Sequence, residues 1–152
     1  MRQALGWAME HDTTVALQLA VALAPWWYLR GRLGGEYRLL REAAGRAEAG
    51  SSGWCAAQLW LGWAAQYSGD LPASLGHYTA VLDAVAGRPP SRALTSALAD
   101  RASTLLLMGR AAENLAFAGF LALHLEHRIT PPPPFHTAVN ARGSPFKAYW
   151  KR

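Results

Sequence analysis

Tyr67-Ser68-Gly69-Asp70-Leu71-Pro72 is the stretch that decides how this chain folds. A glycine after an apolar, helix-forming run stops a helix, and an aspartate next to it caps the start of another. Proline two positions later suits a first helical turn, where its missing N–H has no intrahelical partner anyway. The stretch therefore reads as the turn of a helical hairpin. Upstream, the breaker Gly50-Ser51-Ser52-Gly53 supplies a serine cap for a helix over about Gly53 to Tyr67. Downstream, Asp70 opens a helix that ends near Ala86.

The same grammar extends in both directions. Asp12 is a good N-cap for a helix to about Arg30, with Val15, Leu19, Ala22, Leu23, Trp26 and Leu29 on neighbouring turns of one expected core face, and Gly31 terminates it. Pro25 lies inside that helix and predicts a kink near Val21 to Pro25. A further helix is expected over about Gly34 to Ala49. Gly87-Arg88-Pro89-Pro90 is a connector, Ser91 caps a helix to about Met108, Gly109 ends it, and a last helix occupies about Ala111 to His127. Alanine and leucine dominate, β-branched residues are sparse, and apolar residues recur at three and four positions, so the expected class is all-α.

Six helices in three pairs share a period. Gly31, Gly69 and Gly109 are spaced by 38 and 40 residues, and seven residues before each stands a small residue, Ala24, Gly62 and Ala102. Nine residues after each glycine come Leu40, Tyr78 and Ala118. The pattern resembles the tetratricopeptide repeat, in which a small residue in the first helix, a Gly-Asp-like turn and an aromatic in the second recur. Two departures mark the repeats as degenerate: the periods are long, and Glu36, Ser74 and Asn114 replace the small residue usual early in the second helix. The resemblance implies antiparallel hairpins stacked as a short solenoid. An ordinary helical bundle with coincidental glycine spacing is the alternative.

The 152 residues are 51% hydrophobic and 16% charged, enough for one domain that buries roughly two thirds of its unfolded surface. The net charge of +5 is localised: positions 1–127 hold ten basic and ten acidic residues, and positions 128–152 hold five basic residues and no acidic one. The expected organisation is a helical-repeat domain over 1–127 and a disordered, Pro-rich basic tail over 128–152, opened by Pro131 to Pro134. Val15 to Leu29 is the longest apolar stretch and is too short for a bilayer, and no secretory signal is visible, so a cytoplasmic location is expected. Cys55 is the only cysteine, which excludes a disulfide framework within one chain.

A second resemblance rests on Leu5-Gly6-Trp7-Ala8-Met9-Glu10-His11-Asp12, Ala16-Leu17-Gln18-Leu19-Ala20, Trp26-Trp27-Tyr28-Leu29-Arg30-Gly31-Arg32-Leu33 and Gly35-Glu36-Tyr37-Arg38-Leu39-Leu40. Over about residues 4 to 110 the chain resembles the helical-repeat region of LuxR-type and antibiotic-regulatory-type activators that carry a STAND-class P-loop ATPase. Related cyclase-associated predicted ATPases are similar. The resemblance implies a sensing or docking segment of a bacterial transcriptional regulator, with Met1 opening a fragment of a longer parent. The parts that would supply nucleotide or DNA chemistry are not in this sequence: no G-x-x-x-x-G-K-[ST] loop occurs, and the charge-neutral body shows no basic recognition helix.

No catalytic constellation or cofactor motif emerges, and no enzymatic activity is expected. His124 and His127 are one turn apart but lack the third ligand of a catalytic zinc site; His11 and His77 lack an evident acid or nucleophile partner. Seven tryptophans pose a choice between core and ligand surface. Trp60, Trp63, Trp26 and Trp7 are expected in the core, whereas Trp27 and Tyr28, with Arg30, Arg32, Arg38 and Arg41, are the candidates for contact with a protein or peptide partner, or with other domains of a parent regulator. Two alternatives belong to other classes. One is a sensor that holds a small apolar ligand in an aromatic pocket. The other is nucleic-acid binding through the tail, where Phe135, Phe146, Tyr149 and Trp150 interleave with Arg142, Lys147, Lys151 and Arg152.

Overall fold

The computed structural model describes residues 2–31, 34–110 and 112–113. They form an all-α structure with six helices among the described residues: α1 (Arg2–His11), α2 (Thr13–Leu29), α3 (Gly35–Gly45), α4 (Ser52–Tyr67), α5 (Leu71–Ala84) and α6 (Arg92–Leu107). The helix expected over about Ala111 to His127 and the tail over 128–152 lie outside the described residues. None of the described helices is long and apolar enough to cross a membrane.

The caps at Asp12, Asp70 and Ser91 fall where expected, and within the Gly50–Gly53 breaker the serine that caps is Ser51. The Asp12 carboxylate accepts from the N–H groups of Thr14 (2.9 Å) and Val15 (3.0 Å). Ser51, Asp70 and Ser91 do the same for the first turns of α4, α5 and α6. At the quoted turn, Gly69 adopts a φ of 83°, which L side chains disfavour, and the chain reverses so that the Asp70 N–H reaches the Ala65 carbonyl at 2.9 Å.

Two differences from expectation stand out. The stretch before Asp12 is a helix of its own, α1, which buries Leu5, Ala8 and Met9. The second concerns the face of α2. Its buried residues are Ala16, Leu17, Ala20, Ala24 and Trp27, so the predicted face is corrected: Val15, Leu19, Ala22, Trp26 and Leu29 are exposed. The reason is steric. Between Thr13 and Leu29 the helix is apolar nearly all round, so periodicity does not select a face, and the alanine-rich side lets neighbouring helices approach closely. Pro25 is accommodated within α2, and the Tyr37 hydroxyl of α3 donates to the Ala24 carbonyl at 3.2 Å just before it.

Each helix packs on its successor, and α2 also meets α4 as α4 meets α6. The first core joins α1 to α4 through Leu5, Leu17, Trp27, Tyr37, Leu40 and Leu61, while Cys55, Val81, Val85 and Ala97 form a second core among α4, α5 and α6; Trp54 packs against both. In α4 Gly62 has no room for a side chain, since a Cβ there would lie 2.6 Å from Cε1 of the buried Tyr78 in α5. Polar ties complete the packing. Arg46, which caps the end of α3, donates to the Met9 carbonyl of α1 at 2.6 Å, and Arg88 donates to the Gly50 carbonyl at 2.7 Å, joining the α5–α6 and α3–α4 connections.

Glu36 and Ser74, which stand where the repeat pattern has a small residue, are both buried. Ser74 in α5 shares a 3.2 Å hydrogen bond with Thr104 in α6. The Thr104 hydroxyl also lies within donating distance of the Asp100 carbonyl of its own helix, at 2.9 Å, and of Gln66 Oε1 in α4, at 3.4 Å. Gln66 Nε2 in α4 donates to Ser103 Oγ at 3.4 Å. The boundary of α6 with its neighbours is thus partly a polar seam.

Candidate partner-binding surface

An aromatic ladder crosses from α2 to α4. Trp60, Trp63 and Tyr67 follow one another at three and four positions, which puts them on one side of α4. Their rings touch in sequence: Trp60 to Trp63 is 5.6 Å between centroids at 89°, and Trp63 to Tyr67 is 6.1 Å at 30°. Tyr28, near the C-terminus of α2, closes the set by placing its ring 4.0 Å from Trp63 and 5.4 Å from Tyr67, both edge-on. Such edge contacts fix ring orientation through their quadrupoles. Tyr67 is 65% exposed, and Tyr28, Trp60 and Trp63 are half-buried. Burial, and secondarily Tyr67, pushes the Tyr28 phenol above its ordinary pKa, so its hydroxyl stays protonated at neutral pH. The ladder offers partly exposed ring surface.

The residues proposed from sequence separate in the structure. Tyr28 belongs to the ladder. Trp27 does not offer a contact surface: it is 4% exposed and packs edge-on against Tyr37 at 6.1 Å, which corrects its expected role. Arg30 is exposed and holds its guanidinium 5.1 Å above the Trp26 ring, an arrangement that orients the arginine. Arg38 and Arg41 are exposed on α3, and Arg32 lies outside the described residues. Trp7, expected in the core, is 60% exposed and stacks on His11 at 4.5 Å. Trp60, Trp63 and Tyr67 were not among the residues expected to meet a partner. Their aromatic spacing along α4 was the available signal, and it reads equally well as core.

Among the described residues, the environments of Cys55 and His77 shift their pKa values. Cys55 is buried, and burial pushes its thiol pKa up, which disfavours the nucleophilic thiolate. Among the described residues no three His, Cys, Asp or Glu side chains cluster so as to hold a metal ion, while His124 and His127 lie outside them. His77 in α5 hydrogen-bonds Gln58 through Nδ1 at 2.6 Å. Burial first, and then the positive charge of Arg41, lower its pKa from the ordinary 6.5. The folded state therefore takes up this proton at lower pH than the unfolded chain does. Its contribution to stability is present above about pH 6.5 and is lost as pH falls toward the lowered folded value. In urea titrations from pH 7.5 to 5, the expected result is a stability loss on acidification that is shallower in His77→Gln; equal slopes would refute it.

Compared with protein-family models, curated proteins and solved structures, the chain matches none.

Proposed function

We propose that this chain is a non-catalytic, peptide- or protein-binding scaffold whose hairpins α2–α3 and α4–α5 are tetratricopeptide-like repeats stacked as a solenoid. It would serve as a cytoplasmic sensing or docking segment of a bacterial transcriptional regulator of the STAND class. The observation that carries the binding role is the Tyr28–Trp63–Tyr67 contact, which gathers half-exposed aromatic rings from two hairpins onto one surface. Rings already held by one another lose little conformational freedom on binding, and tryptophan and tyrosine combine apolar area with an N–H or O–H donor. The contacts of α2 with α4 and of α4 with α6 support the repeat reading, because stacked hairpins bring their first helices side by side.

The test is a selection of peptides on the immobilised full chain, followed by affinity measurements on variants. Selected peptides are expected to bind at least 10-fold more weakly to Trp63→Ala and Tyr67→Ala, a loss of about 1.4 kcal/mol, and unchanged to Trp7→Ala. Peptides that bind Trp63→Ala as well as the parent chain would overturn the reading. Selection of no peptide, together with uptake of a small apolar dye abolished by Trp63→Ala, would replace it with the sensor alternative.

A further inference from the structure

The outward face of α2 carries the second surface of interest, separate from the aromatic ladder. Val15, Leu19, Ala22, Trp26 and Leu29 follow a 4-3-4-3 spacing, the seam along which one helix packs on another. All five are exposed, Val15 at 39%, Leu19 at 37%, Trp26 at 39% and Leu29 at 44%, with Ala22 among them. A solvated helix face normally carries charge. Here none of the 17 residues of α2 is charged.

The order of side chains along the seam names the occupant. Large residues stand at both ends and the small Ala22 at the centre, with Val15 and Leu29 each seven positions from it. A second α2, antiparallel about a two-fold axis at Ala22, therefore lays Val15 toward Leu29 and Leu19 toward Trp26 of its mate, while the two alanines let the axes approach. Charge agrees with this direction. Asp12 at the N-terminus of α2 caps it through Oδ1 alone, leaving Oδ2 available, and the C-capping residue is Arg30. An antiparallel pair brings the Asp12 end of one helix to the Arg30 end of the other and opposes the two helix dipoles; a parallel pair would juxtapose like charges.

We propose that the chain forms a two-fold homodimer through α2 packed antiparallel on α2 of a second copy. The seam consists of five side chains on one helix, and dissociation on the order of tens of micromolar is expected.

Sedimentation equilibrium of the full chain from about 1 to 300 μM is expected to show a monomer passing to a dimer across that range. Leu19→Glu should keep the chain monomeric throughout, with an unchanged far-UV circular dichroism spectrum. A second variant does not depend on disruption. Ala22→Cys, at the axis, should oxidise to a covalent dimer at least 10-fold faster than Gln18→Cys, whose symmetry mate lies about 12 Å away along the helix. The buried Cys55 leaves the introduced cysteine as the accessible thiol among the described residues. A parent chain that is monomeric at every concentration overturns the proposal, as does a dimer that survives Leu19→Glu. Equal oxidation of the two cysteine variants overturns the two-fold arrangement.

Discussion

Trp27→Ala is expected to lower the free energy of unfolding by about 3–5 kcal/mol, whereas Trp26→Ala, one residue earlier, should change it by less than about 1 kcal/mol at concentrations where the chain is monomeric. The difference follows from orientation alone. Trp27 is 4% exposed in the core shared by α1 to α4 and meets Tyr37 edge-on, so truncation removes its dispersion contacts and leaves a void. Trp26 is 39% exposed and contacts the Arg30 guanidinium, which lies 5.1 Å from its ring. Against a typical domain stability of about 5–15 kcal/mol, the Trp27 loss removes a large share of the total. Urea denaturation of both variants checks this. A larger loss in Trp26→Ala would mean that α2 is rotated by about 100° from the orientation described.

The second large effect lies at the crossing of α4 and α5. Gly62→Ala places a Cβ 2.6 Å from Cε1 and 2.8 Å from Cζ of Tyr78, a fully buried ring. Overpacking of this kind costs about 1–3 kcal/mol, enough to exceed the gain of about 1 kcal/mol that alanine has over glycine in a helix. Net destabilisation is expected. Tyr78→Ala should itself cost about 3–5 kcal/mol. In that background the steric conflict is gone, so Gly62→Ala should become stabilising by up to about 1 kcal/mol. This reversal of sign is the decisive readout of a double-mutant cycle; a Gly62→Ala effect independent of residue 78 would refute the close crossing. Tyr78→Phe serves as the control. The Tyr78 hydroxyl is buried beside Ser74 without a hydrogen bond of good geometry among the described residues, so its removal should cost less than about 1 kcal/mol.

The close approach at Gly62 was legible in the sequence, because a small residue stands seven positions before each turn glycine, although its partner Tyr78 was not named by that spacing. So were the caps at Asp12, Ser51, Asp70 and Ser91, since each is a polar residue placed where orphan N–H groups need an acceptor. The orientation of α2 was not. Amphipathic periodicity locates a face only when one side is polar, and between Asp12 and Arg30 no charge marks the solvent side. The choice then falls to volume, and small Ala16, Ala20 and Ala24 win the close-packed side. The same ambiguity hid the candidate site. Trp60, Trp63 and Tyr67 have the spacing of a buried stripe, and only the neighbouring Tyr28 across the α2–α4 contact distinguishes them as a partly exposed ladder. Such pairing is a long-range fact with no local signature.

The hydroxyl contact between Ser74 and Thr104 has a mechanical consequence. Helices that meet through alanines present nearly identical corrugation at successive turns, so one can slide past another with little change in contact. A hydrogen bond between two short side chains is satisfied at a single offset. With Gln66 meeting Ser103 one residue away, α6 is keyed to α4 and α5 at two points, like a gear tooth in its notch. The apolar cores supply the adhesion between these helices, and the buried hydroxyls set their register.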